Sequence, residues 1–486
     1  MRNQAYAAPL AKRYPVASTG MIAAVRVVLS LVNFAENLGR QLRPRSVWLL
    51  MIVAAAIYYP RFVKLPAGME TYPQAASCLW HGQMLQACDA GFTYPPFFAL
   101  VMLPFAPMPL WLRDLAWYVV TLAATIGSFK LSESIARKAL PAPLGHAELC
   151  WLRFFALLLS AKLILAVFEN QAYDALVVVA ALFGLAALCE GRAFVAGASL
   201  AFAAALKATP LIFLPYLLWK RHFTAAAIFG VVYALASLLP DILFGPADGD
   251  AYFSAYFSAY FSTYFSTYFS TWLHQVAGPA FGINPAGAPF AFWDGANILN
   301  YSLRGAISLN IDEAHSRSVF DTALAAADGS LIIVVGTLIA LLPRRSRSVA
   351  IDGSLLLIAM LMLSPMTSRS HYVALLLPYM TLVALNLRDA RSAALGRTVL
   401  AVSFALVTLA GNDAVGEAFT VWAYRHSAMV LGTLVLLIYF AALVLQRQVS
   451  LIGNLAARPL VPATTRTQRA SEPPFRSQSG FPPSRE

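Results

Sequence analysis

Apolar runs about as long as a bilayer is thick alternate with short clusters of arginine and lysine, and this pattern admits few folds besides a bundle of membrane-crossing helices. With 59% hydrophobic and only 12% charged residues, the composition excludes a soluble globular class. One residue interrupts the pattern. Lys207 stands mid-way along the apolar run 193–219. A charge at membrane depth costs at least about 2.5–3.5 kcal/mol, so it persists only where a cavity or an anion receives it. Lys207 is therefore a candidate functional residue. It also suits a tight turn between two short membrane segments, and the two readings are compatible.

Spans placed near 46–60, 113–132, 151–168, 173–189, 193–206, 208–219, 223–244, 329–343, 351–366, 372–387, 398–412 and 428–446 make about twelve crossings. With both termini inside, about 26 of the 35 lysines and arginines fall on the cytoplasmic face, as positive-inside insertion requires. That bias accounts for most of the net charge of +12 without any nucleic-acid partner. Residues 1–45 read as a cytoplasmic segment with an amphipathic helix over 21–34, and 46–446 as one membrane domain. The tail 447–486 turns rich in Pro, Ser, Thr and Arg from residue 456 on, which predicts disorder there. Two large exoplasmic loops are expected, 61–112 and 245–328. Because Pro95, Pro96, Pro104, Pro107 and Pro109 crowd the end of the first, that stretch reads as interfacial rather than spanning. The short halves flanking Lys207 read as half-helices meeting at Pro210, and such broken backbone normally lines a cavity.

In this topology the unusual polar residues converge on one face. Glu70, Tyr72, His81 and Asp89 lie in the first loop; Glu169, Asn170 and Gln171 cap the third and fourth spans; Lys207, Arg369 and His371 emerge beside them. A single exoplasmic cavity would gather them, although short loops are polar in any case. Lys162 reads as a lysine snorkelling toward headgroups, with Glu169 on nearly the same helix face. Histidines are scattered without metal-ligand spacing, so no metal is expected. Cys78 and Cys88 share the first loop, where an oxidising exterior permits either a disulfide or two free thiols. The Tyr-Phe-Ser repeat over 251–270 reads as repeat expansion in a loop, or else as an aromatic ledge at the membrane interface.

Three first-loop segments, Gly68-Met-Glu70-Thr-Tyr72, Trp80-His81-Gly82 and Phe92-Thr-Tyr94-Pro95-Pro96, occur in an order that resembles glycosyltransferase family 87, also called domain of unknown function 2029. The resemblance continues through Glu169-Asn170-Gln171, where the family usually shows Gly-Gln, and through Lys207-x-x-Pro210 followed by Lys220-Arg221. It ends in Ser364-Pro365-Met-Thr-Ser-Arg369-Ser-His371, similar to a Ser-Pro-x-x-Trp-x-His segment. Two departures stand out: Glu70 replaces the usual aspartate, and no tryptophan precedes His371. The resemblance implies an all-α polytopic membrane fold of the GT-C type with a large first exoplasmic loop, in a bacterial inner membrane with its active site facing the periplasm. It further implies transfer of a hexose, mannose in the family, from a polyprenyl-phosphate donor to a glycan or glycolipid acceptor.

Such a transfer needs one group to accept the acceptor hydroxyl's proton and cationic donors to stabilise the departing phosphate. Glu70 or Asp89 suits the first role. Lys207, Arg369 and His371 suit the second, with Tyr72, His81, Tyr94, Asn170 and Gln171 expected to line the substrate site. No cofactor is required beyond the lipid-phosphate co-substrate, and no P-loop or dinucleotide fingerprint is present. The alternative is a transporter or flippase of an anionic lipid-linked sugar, in which the cations bind phosphate but no carboxylate does chemistry. A non-catalytic envelope subunit is the third reading.

Overall fold

A computed structural model describes residues 46–64, 68–88, 92–244, 267–278, 297–311, 316–388, 393–411 and 415–456. The expected amphipathic helix over 21–34, Asp89, most of the Tyr-Phe-Ser repeat and the tail beyond 456 lie outside these residues. Among the described residues every regular element is helical. Six helices are long and apolar enough to cross a membrane: Leu110–Lys138, His146–Glu169, Phe223–Leu243, Arg317–Leu341, Ser346–Leu363 and Ala428–Gln448. In hydrocarbon a helix satisfies every backbone polar group within its own segment, so continuous apolar runs of this length become helices.

Shorter apolar helices complete the bundle. Asp174–Cys189 and Ala193–Leu206 pack against each other, with Leu110–Lys138 on one side and Phe223–Leu243 on the other. Small residues permit the close approach: a Cβ on Gly197 would collide with the Ala225 carbonyl, and one on Gly184 would meet Leu200 at 2.6 Å. The proline-rich stretch forms the short helix Pro96–Met102 and a 3-10 turn, Leu103–Phe105, before Leu110–Lys138 begins. Pro96–Phe105 covers about 15 Å at a helical rise, half a bilayer. The helix Gly68–Trp80 precedes this stretch, and Cys78 is joined to Cys88 in a disulfide.

Two apolar segments are broken rather than continuous. The helix Ala193–Leu206 stops at Lys207, whose backbone is extended, and the chain resumes through a 3-10 turn at Thr209–Ile212 into Phe213–Trp219. Pro210 sits in that turn, as its missing N–H and fixed φ require. Likewise Val349–Leu363 ends at an extended Ser364, and the 3-10 turn Arg369–Leu375 leads into Leu376–Asn386. The chain divides into two compact units, Met1–Ala441 and Ala442–Glu486; the second is described only as the distal part of the helix Ala428–Ala456.

Candidate active site

Both breaks open onto one carboxylate, Asp174, in the first turn of the helix Asp174–Cys189. Its Oδ1 accepts from Lys207 Nζ at 2.9 Å and faces His371 Nε2 at 3.4 Å; its Oδ2 accepts from Ser370 Oγ at 2.8 Å. The Asp174 side chain is only 5% exposed. Intramembrane charges of opposite sign are expected to find one another, because either alone would be stranded in a low-dielectric surround. The helix N-terminus adds a favourable dipole for the carboxylate.

The tautomer of His371 follows from its second contact. The Ser368 N–H donates to Nδ1 at 2.9 Å, so Nδ1 is an acceptor and Nε2 carries the proton that points at Asp174. Burial pulls the imidazole down to about 4, against the opposing pull of Asp174, and it is neutral at physiological pH. Asp174 and Lys207 then cancel, leaving the cluster without net charge. The surrounding cleft is closely filled by Val177, Val178, Met360 and Leu361, and the Thr209 hydroxyl lines it with no hydrogen-bond partner among the described residues.

The turn Ser364–Ser368 is held in place by residues 300–302. Asn300 Oδ1 accepts from the Thr367 N–H at 3.0 Å, Asn300 Nδ2 donates to the Pro365 carbonyl at 2.9 Å, and the Tyr301 N–H donates to the Thr367 carbonyl at 2.7 Å. Tyr372 closes the loop by donating to the Tyr301 carbonyl at 2.8 Å. Arg369 leaves this turn toward Tyr424, with its guanidinium 5.5 Å from the ring centroid and close to Gly411. Among the described residues no carboxylate pairs with it.

Beside Asp174 lies an aromatic cluster. Tyr72 is buried with edge contacts to Tyr94, Phe98, Trp117 and Tyr173, and the Lys207 ammonium is 5.8 Å from the Tyr173 centroid. Tyr72, Tyr94, Lys207 and His371 are thus gathered around one place. Gln171 is buried at φ 46° and acts as a clamp: its Oε1 accepts from the Met69 N–H, its Nε2 donates to the Phe62 carbonyl, and its own carbonyl accepts from Trp117 Nε1. Three parts of the chain meet on that side chain and its backbone.

Other expected residues are engaged elsewhere. Asn170 donates to the Ala166 carbonyl at 2.8 Å and caps its own helix, while His81 is exposed with Nδ1 2.7 Å from the Ser77 carbonyl. Glu70 is exposed on the first turn of Gly68–Trp80, one residue beyond the Met69 that Gln171 holds. Lys162 pairs with Glu169 at 3.8 Å. Lys220 is buried against Asp352 at 3.1 Å and donates to the Ile339 and Leu342 carbonyls, closing the end of Arg317–Leu341.

Residues 92–365, more than half of the chain and the stretch that holds Tyr94, Gln171, Asp174 and Lys207, match glycosyltransferase family 87. The chain belongs to this family. It is similar to the polyprenol-phosphate-mannose-dependent alpha-(1-2)-phosphatidylinositol pentamannoside mannosyltransferase of Mycobacterium tuberculosis (strain CDC 1551 / Oshkosh), 32% identical over 163 residues. That match covers 33% of this chain and 36% of the relative, so the chain spans about a third of the relative's length. No solved structure matches it.

In this family 87 chain the carboxylate that organises the site is one that reading along the sequence did not single out. Asp174 was legible in one respect: it and Lys207 are opposite charges in neighbouring apolar segments, which the cost of burial drives together. Ser370, Asn300 and Tyr424 carried no such signal, being ordinary polar or aromatic residues until the fold assembles them.

Proposed function

We propose that this protein transfers a hexose from a polyprenyl-phosphate donor to an acceptor hydroxyl on the exoplasmic face of the membrane, with mannose the sugar favoured by the mycobacterial relative's name. The observation that carries the reading is the contrast between its two cations. Lys207 is neutralised by Asp174, whereas Arg369, two residues from His371, has a guanidinium and no carboxylate partner among the described residues. An anionic ligand is what such an arginine lacks, and a guanidinium binds phosphate oxygens in a bidentate way.

In the reaction the acceptor oxygen attacks the anomeric carbon as the bond from that carbon to the phosphate oxygen breaks. The electron pair leaves with the polyprenyl phosphate, where Arg369 stabilises the growing charge, and the hydroxyl proton goes to a carboxylate. Glu70 or Asp89 of the first loop takes that proton. Asp174 is poorly suited to do so, since both its oxygens are already engaged by Lys207, His371 and Ser370. Its role is positioning: it ties the two chain breaks together and so aims the Arg369 turn. The exposed Glu70 is tethered near the aromatic cluster through Met69 and Gln171.

The test is transfer of radiolabelled hexose from synthetic polyprenyl-phosphate donors in membranes carrying the wild type, Glu70→Gln, Asp89→Asn or Arg369→Gln. Transfer that is lost with one carboxylate variant while donor binding persists supports the enzyme and names its base. Donor binding and translocation with no transfer in any form would instead favour a lipid-linked sugar transporter.

A further inference from the structure

The end of the bundle away from Asp174 carries an open cleft of about 690 Å³ that the reaction does not use. Lys130, Arg137, Lys138 and Arg153 line it, with Trp48 and Glu133. Glu133 serves two guanidiniums, accepting from Arg153 at 2.8 Å and from Arg137 at 3.4 Å. Lys138 pairs with Glu190 at 3.2 Å. The exposed Lys130 has no carboxylate partner among the described residues, and its ammonium lies 5.3 Å from the Trp48 centroid. Four cations therefore face two carboxylates, a local surplus of positive charge in a concave, partly apolar setting.

The depth of the cleft is set by its helix. Residues 115–129 of Leu110–Lys138 are uncharged, fifteen residues or about 22 Å of helix, and Lys130 begins the charged end. Trp117 meets Gln171 near the candidate active site, whereas Glu133 meets Arg153, sixteen residues or about 24 Å further along. The basic cleft thus lies at headgroup level in the leaflet opposite the Asp174 cluster, with a tryptophan at the depth where that residue is favoured.

We propose that this cleft binds the phosphate headgroup of an anionic glycerophospholipid, with Lys130 and Arg137 as its main contacts and Trp48 against the glycerol and upper acyl region. The site is independent of the transfer reaction. A snorkelling lysine beside an aromatic and a guanidinium that shares its carboxylate are both groups for which a lipid phosphate completes the charge balance.

Native mass spectrometry of the full-length protein in detergent, titrated with phosphatidylglycerol, phosphatidylcholine or soluble glycerol phosphate, tests the assignment. Phosphatidylglycerol should bind selectively, weakened about fivefold in Lys130→Gln and roughly twentyfold in Lys130→Gln/Arg137→Gln, but unchanged in Lys162→Gln at the other end. Equal binding of phosphatidylcholine, equal loss in Lys162→Gln, or undiminished binding by the variants would overturn it. So would displacement of the lipid by equimolar glycerol phosphate, which would make this a site for soluble phosphate. Lys130 is exposed and among the described residues its ammonium makes only the Trp48 contact, so the single variant should fold even if the double does not.

Discussion

Lys207 and Asp174 are 33 residues apart in sequence and lie in different membrane segments, yet Nζ and Oδ1 meet at 2.9 Å in a setting where each side chain is at most 15% exposed. Removing one partner strands the other. Asp174→Asn should destabilise the protein by about 3–5 kcal/mol, and Lys207→Met likewise. The double variant Asp174→Asn/Lys207→Met should lose much less than the sum, because no uncompensated charge is left. Thermal unfolding in detergent across the four proteins measures the coupling; additive losses would show that the pair is not an ion pair in the membrane.

Stability should also depend on pH through His371, which lies outside the membrane-length helices. Burial lowers its imidazole from the ordinary 6.5 to about 4, so below 6.5 the unfolded chain takes up a proton that the folded one does not. Stability is therefore full above about pH 6.5 and declines as pH falls toward 4, by on the order of 3 kcal/mol. His371→Gln should flatten that slope in Tm measured against pH. An unchanged slope would assign the acid sensitivity to other groups.

Arg369→Lys keeps the charge but loses the planar fork. If the guanidinium holds the donor phosphate, kcat/KM for the lipid donor should fall roughly ten- to a hundredfold, with Arg369→Gln lower still. Thermal stability should change little, since among the described residues the guanidinium meets no carboxylate. Steady-state kinetics with Tm as the control separates the phosphate role from packing on Tyr424.

Gln171 occupies a backbone conformation that glycine adopts more readily, and its amide bonds offset that cost. Gln171→Ala keeps the positive φ and removes two hydrogen bonds, so it should destabilise by about 2–3 kcal/mol. Gln171→Gly removes the bonds but relieves the backbone and should cost less. The order of the two Tm values is the check.

The Cys78–Cys88 bridge predicts a simple count. In denaturant without reductant an alkylating reagent should modify two thiols, Cys150 and Cys189, and after reduction all four. Intact-mass spectrometry reads this directly. Four modifications before reduction would mean that the loop thiols are free.

How much of this was legible beforehand varies with how local the cause is. The helix 193–206, the break at Lys207, the turn at Pro210 and the short proline-rich segment follow from hydropathy and proline geometry, and the structure has them at or close to the expected residues. The expected count of about twelve crossings is not confirmed: among the described residues six helices are of membrane length, and the broken segments are short pairs. Charge counting assigns Lys220 to a face, but cannot tell that its side chain is only 2% exposed, held by a carboxylate and two helix-end carbonyls.

Composition and periodicity alone determined that the chain is a helical membrane protein, since apolar length and backbone satisfaction are properties of each segment by itself. The order of its motifs pointed to family 87. Only the tertiary structure decided which charges are spent on each other. Pairing Lys207 with Asp174 and leaving Arg369 without a carboxylate among the described residues depends on where two broken helices bring their ends together, and electrostatic energy in a low dielectric is set by ångström distances between segments remote in sequence.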